Sequence, residues 1–169
     1  MGRRTGLSVS VATAADVSAI VSLRAAAAQD LTRRHGRGHW SSCPTEKGIL
    51  RALKTSRVLV ARRKAEIIGT VRLEAKKPWA IDVGYFVGVP RPLYLHDLAV
   101  APHAQGSGIG RLLVEEAKAV ARAWPSESIR LDAYDHPAGA GTFYAKCGFS
   151  EVGKVTYRGV PLVYFELLV

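Results

Sequence analysis

The chain has 169 residues, of which 48% are hydrophobic and 22% are charged, and its formal net charge is +10. This composition excludes a largely disordered chain, and the absence of a long apolar stretch argues against a membrane partner. The length predicts one domain over residues 1–169. A charge of +10 attracts polyanions such as nucleic acid, a phosphorylated cofactor or an acidic substrate, but it also occurs simply for solubility.

The N-terminus and the cysteines predict a cytoplasmic protein. The chain starts with a basic segment but lacks the continuous apolar core of a secretory signal. Cys43 and Cys147 do not form a metal-type pair, and so few thiols are typical of a reducing compartment. We therefore expect no metal, while a disulfide between the two cysteines stays open.

Strands and helices follow one another along the chain. A strand at 7–13 is followed by a helix at 17–31 that Asp16 caps, a polar loop at 33–44 and a short helix that begins after Thr45. Two strands lie within 57–75, and an aromatic segment at 77–92 is ambiguous. The second half reads as a strand at 93–100, a helix at 108–124, a strand at 128–135, a helix at 137–147 with Gly148 as its C-terminal cap, and two strands around Gly159. This order predicts a mixed α/β domain on a central sheet with about four helices.

A glycine-rich loop joins the strand at 93–100 to the next helix. It reads Gln105-Gly106-Ser107-Gly108-Ile109-Gly110-Arg111. Glycine permits unusual backbone angles, and a helix N-terminus has unpaired N–H groups, so this pattern favours an anion site. Neither the triphosphate loop, which needs Gly-Lys, nor the dinucleotide fingerprint, which needs glycine at 111, fits. On spacing alone, a turn that only lets the helix pack on the sheet stays open.

Two motifs in this order resemble the GNAT-type N-acetyltransferases. Gln105-x-x-Gly108-x-Gly110 follows Leu98-Ala99-Val100 and is similar to that family's acetyl-CoA signature, and "FYAKCGF" at 143–149 resembles its tyrosine-bearing element. The resemblance implies a mostly antiparallel mixed sheet that is splayed at the cofactor site. It also implies that the N–H groups of residues 106–111 hold the pyrophosphate of acetyl-CoA, while the strand edge at 98–100 pairs with the pantetheine arm. Arg111 either contacts the phosphates or faces solvent.

The resemblance implies direct transfer of an acetyl group from acetyl-CoA to a primary amine. Tyr144 matches the family's general acid and is expected near the cofactor; a phenol stays protonated at neutral pH, as that role requires. A core aromatic is its alternative. His96 and Asp97 are candidates for the base, and since they are adjacent on a strand, only one is expected to face the reacting groups. Asp132 and Tyr134 are further candidates, and the choice of base stays open.

The acceptor is expected to bind at the segments 33–40 and 77–86. Trp40, Trp79 and Asp132 are the candidate substrate-binding residues, because an aromatic wall and a carboxylate suit a small amine. A surface basic loop and core aromatics are the alternative. The acceptor itself cannot be named from the sequence, because one fold serves many substrates.

The chain departs from the family pattern at Pro137, where many members carry an asparagine that contacts the cofactor. Whether Asp135 or His136 takes over that contact stays open. The departure supports a second hypothesis, a regulatory module that binds acyl-CoA without turnover. A basic nucleic-acid-binding domain is the third, but no recognition helix or aromatic–basic platform is present, so no nucleic acid is expected. The oligomeric state is open, a homodimer included.

Overall fold

The structure is a computed structural model that describes residues 6–169, and the basic residues at 1–5 lie outside the described residues. The described chain forms four α-helices and seven β-strands, as a mixed α/β fold requires. In chain order these are β1 (Leu7–Val11), α1 (Val17–His35), α2 (Glu46–Thr55), β2 (Arg57–Arg63), β3 (Glu66–Glu74), β4 (Pro92–Val100), α3 (Ile109–Ala123), β5 (Ser128–Tyr134), α4 (Gly141–Lys146), β6 (Ser150–Tyr157) and β7 (Val160–Leu168).

The sheet is mixed and mostly antiparallel, which confirms the predicted fold class. Its strand order is β1-β2-β3-β4-β5-β7-β6. The β1–β2, β2–β3, β5–β7 and β6–β7 pairs are antiparallel. β4 and β5 are parallel, and their pairing covers Pro92–Tyr94 opposite Ser128–Arg130, at the start of both strands. Both strands continue beyond this paired stretch.

The chain divides into two compact units. The first contains the residues up to Leu73 together with Asp97–Glu116, and the second contains Glu74–His96 and Ala117–Val169. The single domain over 1–169 stays a prediction. Among the described residues, no helix is both long and apolar enough to span a membrane.

The first unit is built on the β1–β2–β3 ladder. Its central strand β2 is buried along most of its length, and α1 contributes Ile20 to the core. The beginning of α3 lies directly on β3: a Cβ added to Gly69 would stand 2.8 Å from Ile109 Cγ2 and 2.9 Å from Leu113 Cδ1. Gly69 therefore permits a close approach of helix and strand that any side chain would prevent.

Two predicted helix caps in this unit have different outcomes. The Thr45 hydroxyl accepts a hydrogen bond from the Gly48 N–H at 3.1 Å, which confirms the predicted cap of α2. Asp16 does precede α1, but the prediction that it caps this helix is wrong. Its carboxylate turns back to accept the Thr13 N–H at 2.8 Å and pairs with Arg62 at 2.8 Å. A partner on β2 thus outcompetes the helix terminus for this side chain.

In the second unit, the segment that was ambiguous in sequence forms no strand. Residues 75–91, which we call the strap, connect β3 to β4 and contain one short 3₁₀ turn at Val83–Tyr85. Ile81 and Phe86 of the strap are buried against Tyr94 of β4 and Tyr164 of β7. The aromatic residues of this segment therefore divide between a packed underside and a solvent face.

Candidate functional site

The glycine-rich loop lies in the first unit, between β4 and α3. Gly106 and Gly108 have φ angles of +74° and +87°, in the left-handed region that favours glycine. A Cβ on Gly106 would meet no atom within 4 Å, so its flank is open. α3 begins at Ile109, and the N–H groups of its first turn have no acceptor within the helix. The loop thus combines a glycine backbone with donors that can receive an anion.

Two polar side chains of the glycine-rich loop donate hydrogen bonds to backbone carbonyls just before it. The Gln105 amide donates to the Val100 carbonyl at 3.1 Å, and the Ser107 hydroxyl donates to the Ala104 carbonyl. The structure therefore places the Gln105 side chain at the end of β4. Because these side chains hold the turn, the loop is shaped by its own hydrogen bonds.

Asp97 stands in a left-handed conformation inside β4, with φ +55°. Its carboxylate receives Arg24 of α1 at 3.0 Å and Arg72 of β3 at 2.9 Å. The strict alternation expected along an extended strand does not apply at this residue, since its backbone leaves the extended region. A carboxylate shared by two guanidinium groups is well suited to hold a backbone kink, and both of its oxygens are engaged.

His96 belongs to the second unit and lies beside a carboxylate that sequence reasoning missed. Its Nε2 is 3.5 Å from Oε2 of Glu74, and each side chain is only 16% exposed. This separation is an ion-pair distance, longer than a good hydrogen bond. Glu74 ends β3, and no local motif links it to His96. Only the neighbouring positions of β3 and β4 in the sheet could have suggested the pair.

Tyr144 is buried on the short helix α4. The helix ends in a Schellman motif: the Phe149 N–H donates to the Tyr144 carbonyl and the Gly148 N–H to that of Ala145, both at 3.1 Å. Gly148 has φ +94°, which confirms its predicted role as the C-terminal cap. The Tyr144 ring makes an edge contact with Phe149 at 5.6 Å between centroids and a tilted contact with Phe165 at 6.1 Å. The phenol is therefore carried on a helix whose end is fully hydrogen-bonded.

The beginning of α4 differs from the prediction. The helix begins at Gly141 and not at 137, so Pro137 lies in a turn before it. In this turn the Tyr134 carbonyl approaches Gly139 so closely that a Cβ there would stand 2.0 Å from it. Asp135 pairs with Lys154 at 3.4 Å, and His136 Nδ1 accepts the Ala138 N–H at 2.9 Å.

Asp132 is half-buried on β5, directly opposite Tyr164 of β7. Burial raises the pKa of this carboxyl, and its own N–H lowers it only in part. Burial likewise raises the pKa of the Tyr164 phenol, and the negative charges of Asp132 and Asp82 add to the effect. Since Asp132 has no ion-pair partner within residues 6–169, its charge is poorly compensated, as is typical of functional carboxylates.

The two tryptophans predicted at the acceptor site lie in different units. Trp79 is on the strap and is 84% exposed. Trp40 is in the first unit, on the turn after α1, where its indole N–H donates to the Gly36 carbonyl at 2.9 Å. Only Trp79 shares a unit with Asp132. Both cysteines are free, and no group of three His, Cys, Asp or Glu side chains in the described part of the chain could hold a metal ion.

Comparison with protein families matches residues 54–151, more than half of the chain, to the acetyltransferase (GNAT) domain. The matched segment contains both motifs, the glycine-rich loop and the Tyr144 element. A comparison with curated proteins found no match.

Solved structures similar to this chain are acetyltransferases. The ribosomal-protein-alanine N-acetyltransferase from Brucella melitensis has 20% identity and a TM-score of 0.74, over 96% of this chain and 99% of that one. The yncA protein from Salmonella typhimurium, with its cofactor acetyl-CoA, has 20% identity and a TM-score of 0.70, over 97% of this chain and 94% of that one. The PaiA N-acetyltransferase from Thermoplasma acidophilum, in complex with coenzyme A, has 14% identity and a TM-score of 0.74, over 96% and 99%. At these identities the likeness concerns the fold.

Proposed function

Because this chain belongs to the GNAT acetyltransferase family, we propose that it transfers the acetyl group of acetyl-CoA to a primary amine, which attacks the thioester directly. The chain is an N-acetyltransferase with acetyl-CoA as its cofactor. The family match over residues 54–151 carries this conclusion. The similar proteins from Salmonella typhimurium and Thermoplasma acidophilum, which hold acetyl-CoA and coenzyme A, support the same cofactor here.

The glycine-rich loop fits the pyrophosphate of this cofactor. The N–H groups of residues 106–111 supply donors, the positive φ angles at Gly106 and Gly108 turn the backbone, and the flank of Gly106 is open. The main chain of Leu98–Val100 holds the pantetheine arm. The Val100 carbonyl, at the end of this stretch, accepts a hydrogen bond from the Gln105 amide. When bound, the cofactor supplies an activated acyl group as a thioester.

Tyr144 donates its hydroxyl proton to the sulfur of the leaving CoA thiolate. Its burial and the closed end of α4 hold the phenol in one place, as proton transfer in a transition state requires. The departure at Pro137 does not affect this step, since α4 begins only at Gly141.

We assign the general base to His96. A neutral imidazole accepts the proton of the attacking amine, and the Glu74 carboxylate at 3.5 Å stabilises the imidazolium that forms. Asp132 binds the ammonium form of the acceptor before this proton leaves. Asp97 acts as a positioning residue, because its two arginine partners occupy the carboxylate.

The experiment combines calorimetry with a CoA-release assay. We expect saturable acetyl-CoA binding and release of free thiol with at least one primary amine. Tyr144→Phe is expected to lower kcat by about 10²–10⁴-fold and to leave acetyl-CoA affinity within about twofold. Tyr157→Phe is the matched control, since that ring lies beside Arg158 on the β6–β7 hairpin, and it should keep full activity.

Three results would contradict the proposal. Absence of acetyl-CoA binding would overturn the cofactor assignment. Binding without turnover on any amine would favour a non-catalytic acyl-CoA-binding module. Full turnover in Tyr144→Phe would remove the phenol from the mechanism.

A further inference from the structure

Hydrogen bonds and ion pairs connect the strap to the rest of the second unit at three places. Near its start, the Tyr164 hydroxyl donates to the Ala80 carbonyl and accepts the Asp82 N–H at 3.0 Å. Near its end, Arg91 pairs with Glu127 at 2.7 Å. These contacts hold the strap in place against the second unit.

The middle contact is a buried ion pair that binds both backbone polar groups of Val87. Arg130 Nη2 donates to the Val87 carbonyl at 2.6 Å, and Glu166 Oε1 accepts the Val87 N–H at 3.1 Å. Arg130 and Glu166 also pair with each other at 3.2 Å, and both are almost fully buried. Charged side chains are rarely buried unless they are paired, and here the two paired side chains also bind the backbone of the strap.

The strap exposes several large apolar side chains, which together we call its apolar face. Trp79, Val83, Tyr85 and Val87 fall within nine residues, and each is between 43% and 84% exposed. Large apolar side chains grouped on a surface mark a binding site more often than chance exposure does. Their backbone is tethered, so they are held in place before any ligand arrives.

Acidic groups lie directly beside this apolar face. The Tyr85 ring makes an edge contact with Tyr164 at 5.4 Å, and Tyr164 is the cross-strand partner of Asp132. Asp82 also lies beside Tyr164, whose hydroxyl accepts the Asp82 N–H at 3.0 Å, so Tyr85, Asp82 and Asp132 are all neighbours of Tyr164.

The strap also carries cations. The Lys77 ammonium donates to the Ile81 carbonyl at 2.8 Å and keeps its charge, while Arg91 pairs with Glu127. Lys76 is exposed at the start of the segment. Asp132 on β5 has no ion-pair partner among the described residues, so its carboxylate is the group that attracts a positive charge beside the apolar face.

We infer that the strap selects the acceptor: it favours amines whose ammonium group is attached to an aryl or other apolar group. Asp132 and Asp82 attract the ammonium, while Trp79 and Tyr85 contact the apolar part, a combination that complements such a cation in both charge and polarity. This inference rests on the proposed acetyl transfer, because it assigns the acceptor side of that reaction.

The test compares two primary amines, phenethylamine and ethanolamine, by CoA release. We expect kcat/KM to be at least about tenfold higher for phenethylamine. Trp79→Ala, whose side chain is mostly in solvent, should lower kcat/KM for phenethylamine about tenfold while the ethanolamine value and the KM for acetyl-CoA stay within twofold. Trp124→Ala, at the end of α3, is the matched control and should behave as the wild type.

The possible failures are distinguishable. Equal rates on both amines, or no effect of Trp79→Ala, would overturn the strap's role and leave acetyl transfer intact. A Trp79→Ala variant that only changes from dimer to monomer in sedimentation would make this face a self-association surface and also overturn the inference. The proposed transfer itself would be contradicted if the protein bound acetyl-CoA but released no CoA with phenethylamine, ethanolamine or any other amine.

Discussion

The buried pair of Arg130 and Glu166 offers a quantitative test of how the strap is held. Glu166 accepts three hydrogen bonds, from Arg130 Nε at 3.2 Å, the Ser128 hydroxyl at 2.9 Å and the Val87 N–H at 3.1 Å. Arg130 is 3% exposed and Glu166 is 5% exposed. Glu166→Ala would leave a guanidinium, a hydroxyl and a peptide N–H in the interior without their acceptor.

The expected cost follows from this environment. Removing one member of a buried ion pair typically costs about 3–5 kcal/mol, because the other charge remains unpaired. For a chain of 169 residues, about 1 kcal/mol corresponds to roughly 2–4 °C in Tm. We therefore expect Glu166→Ala to lower Tm by about 6–20 °C. The double variant Arg130→Met/Glu166→Leu should recover part of this loss, since it removes both charges and keeps the volume.

Urea unfolding followed by circular dichroism measures the free energy of unfolding for each variant. Glu127→Gln is the control, because the Arg91–Glu127 pair also holds the strap but has side chains 60% and 33% exposed. An exposed pair of this kind contributes little to stability, because solvent screens it. A Glu166→Ala loss no larger than that of Glu127→Gln would refute the reasoning and show that the buried pair does not hold the strap.

Four further variants at three positions test the site. Asp132→Asn should raise Tm at pH 7 more than at pH 4. Burial raises the pKa of Asp132 on folding, so the wild type loses stability as the pH rises through that folded pKa. The asparagine amide does not titrate, so the variant does not lose this stability. Thermal scans at the two pH values measure this difference, and the CoA-release assay should find a lower acceptor kcat/KM for Asp132→Asn. Asp97→Asn should cost about 1 kcal/mol or less and Asp97→Val about 1–2 kcal/mol more in urea unfolding, because asparagine tolerates a φ of +55° and a β-branched residue does not. Gly106→Ala should weaken acetyl-CoA binding in calorimetry and lower stability by about 1 kcal/mol, since its φ is +74° although its flank is open.

Each of these predictions has a contrary outcome. A lower Tm for Asp132→Asn at pH 7 would show that the carboxylate is stabilised in the fold. Equal losses at position 97 would indicate that the backbone there is not left-handed. Unchanged acetyl-CoA affinity in Gly106→Ala would separate this glycine from the cofactor.

Local signals explain why most elements could be predicted. The pattern at 108–124 indicated a helix ending before Pro125, and α3 spans Ile109–Ala123. Thr45 caps α2 and Gly148 closes α4 because each acts on backbone groups a few residues away. The prediction failed at Asp16, where the partner Arg62 comes from a distant part of the chain. It also failed at the start of α4, where the tight approach of the Tyr134 carbonyl to Gly139 makes a turn that residue preferences did not reveal.

The sequence by itself determined the order of strands and helices, the glycine-rich loop and the tyrosine of the second motif, because these depend on residue types at short spacing. Only the tertiary structure decided how the charged residues are used. Sheet pairing brings Glu74 to His96, Asp132 beside Tyr164, and Arg130 to Glu166, 36 positions away. Two arginines from other elements occupy Asp97. Burial and strand register set these partners, and neither can be read from neighbouring residues along the chain.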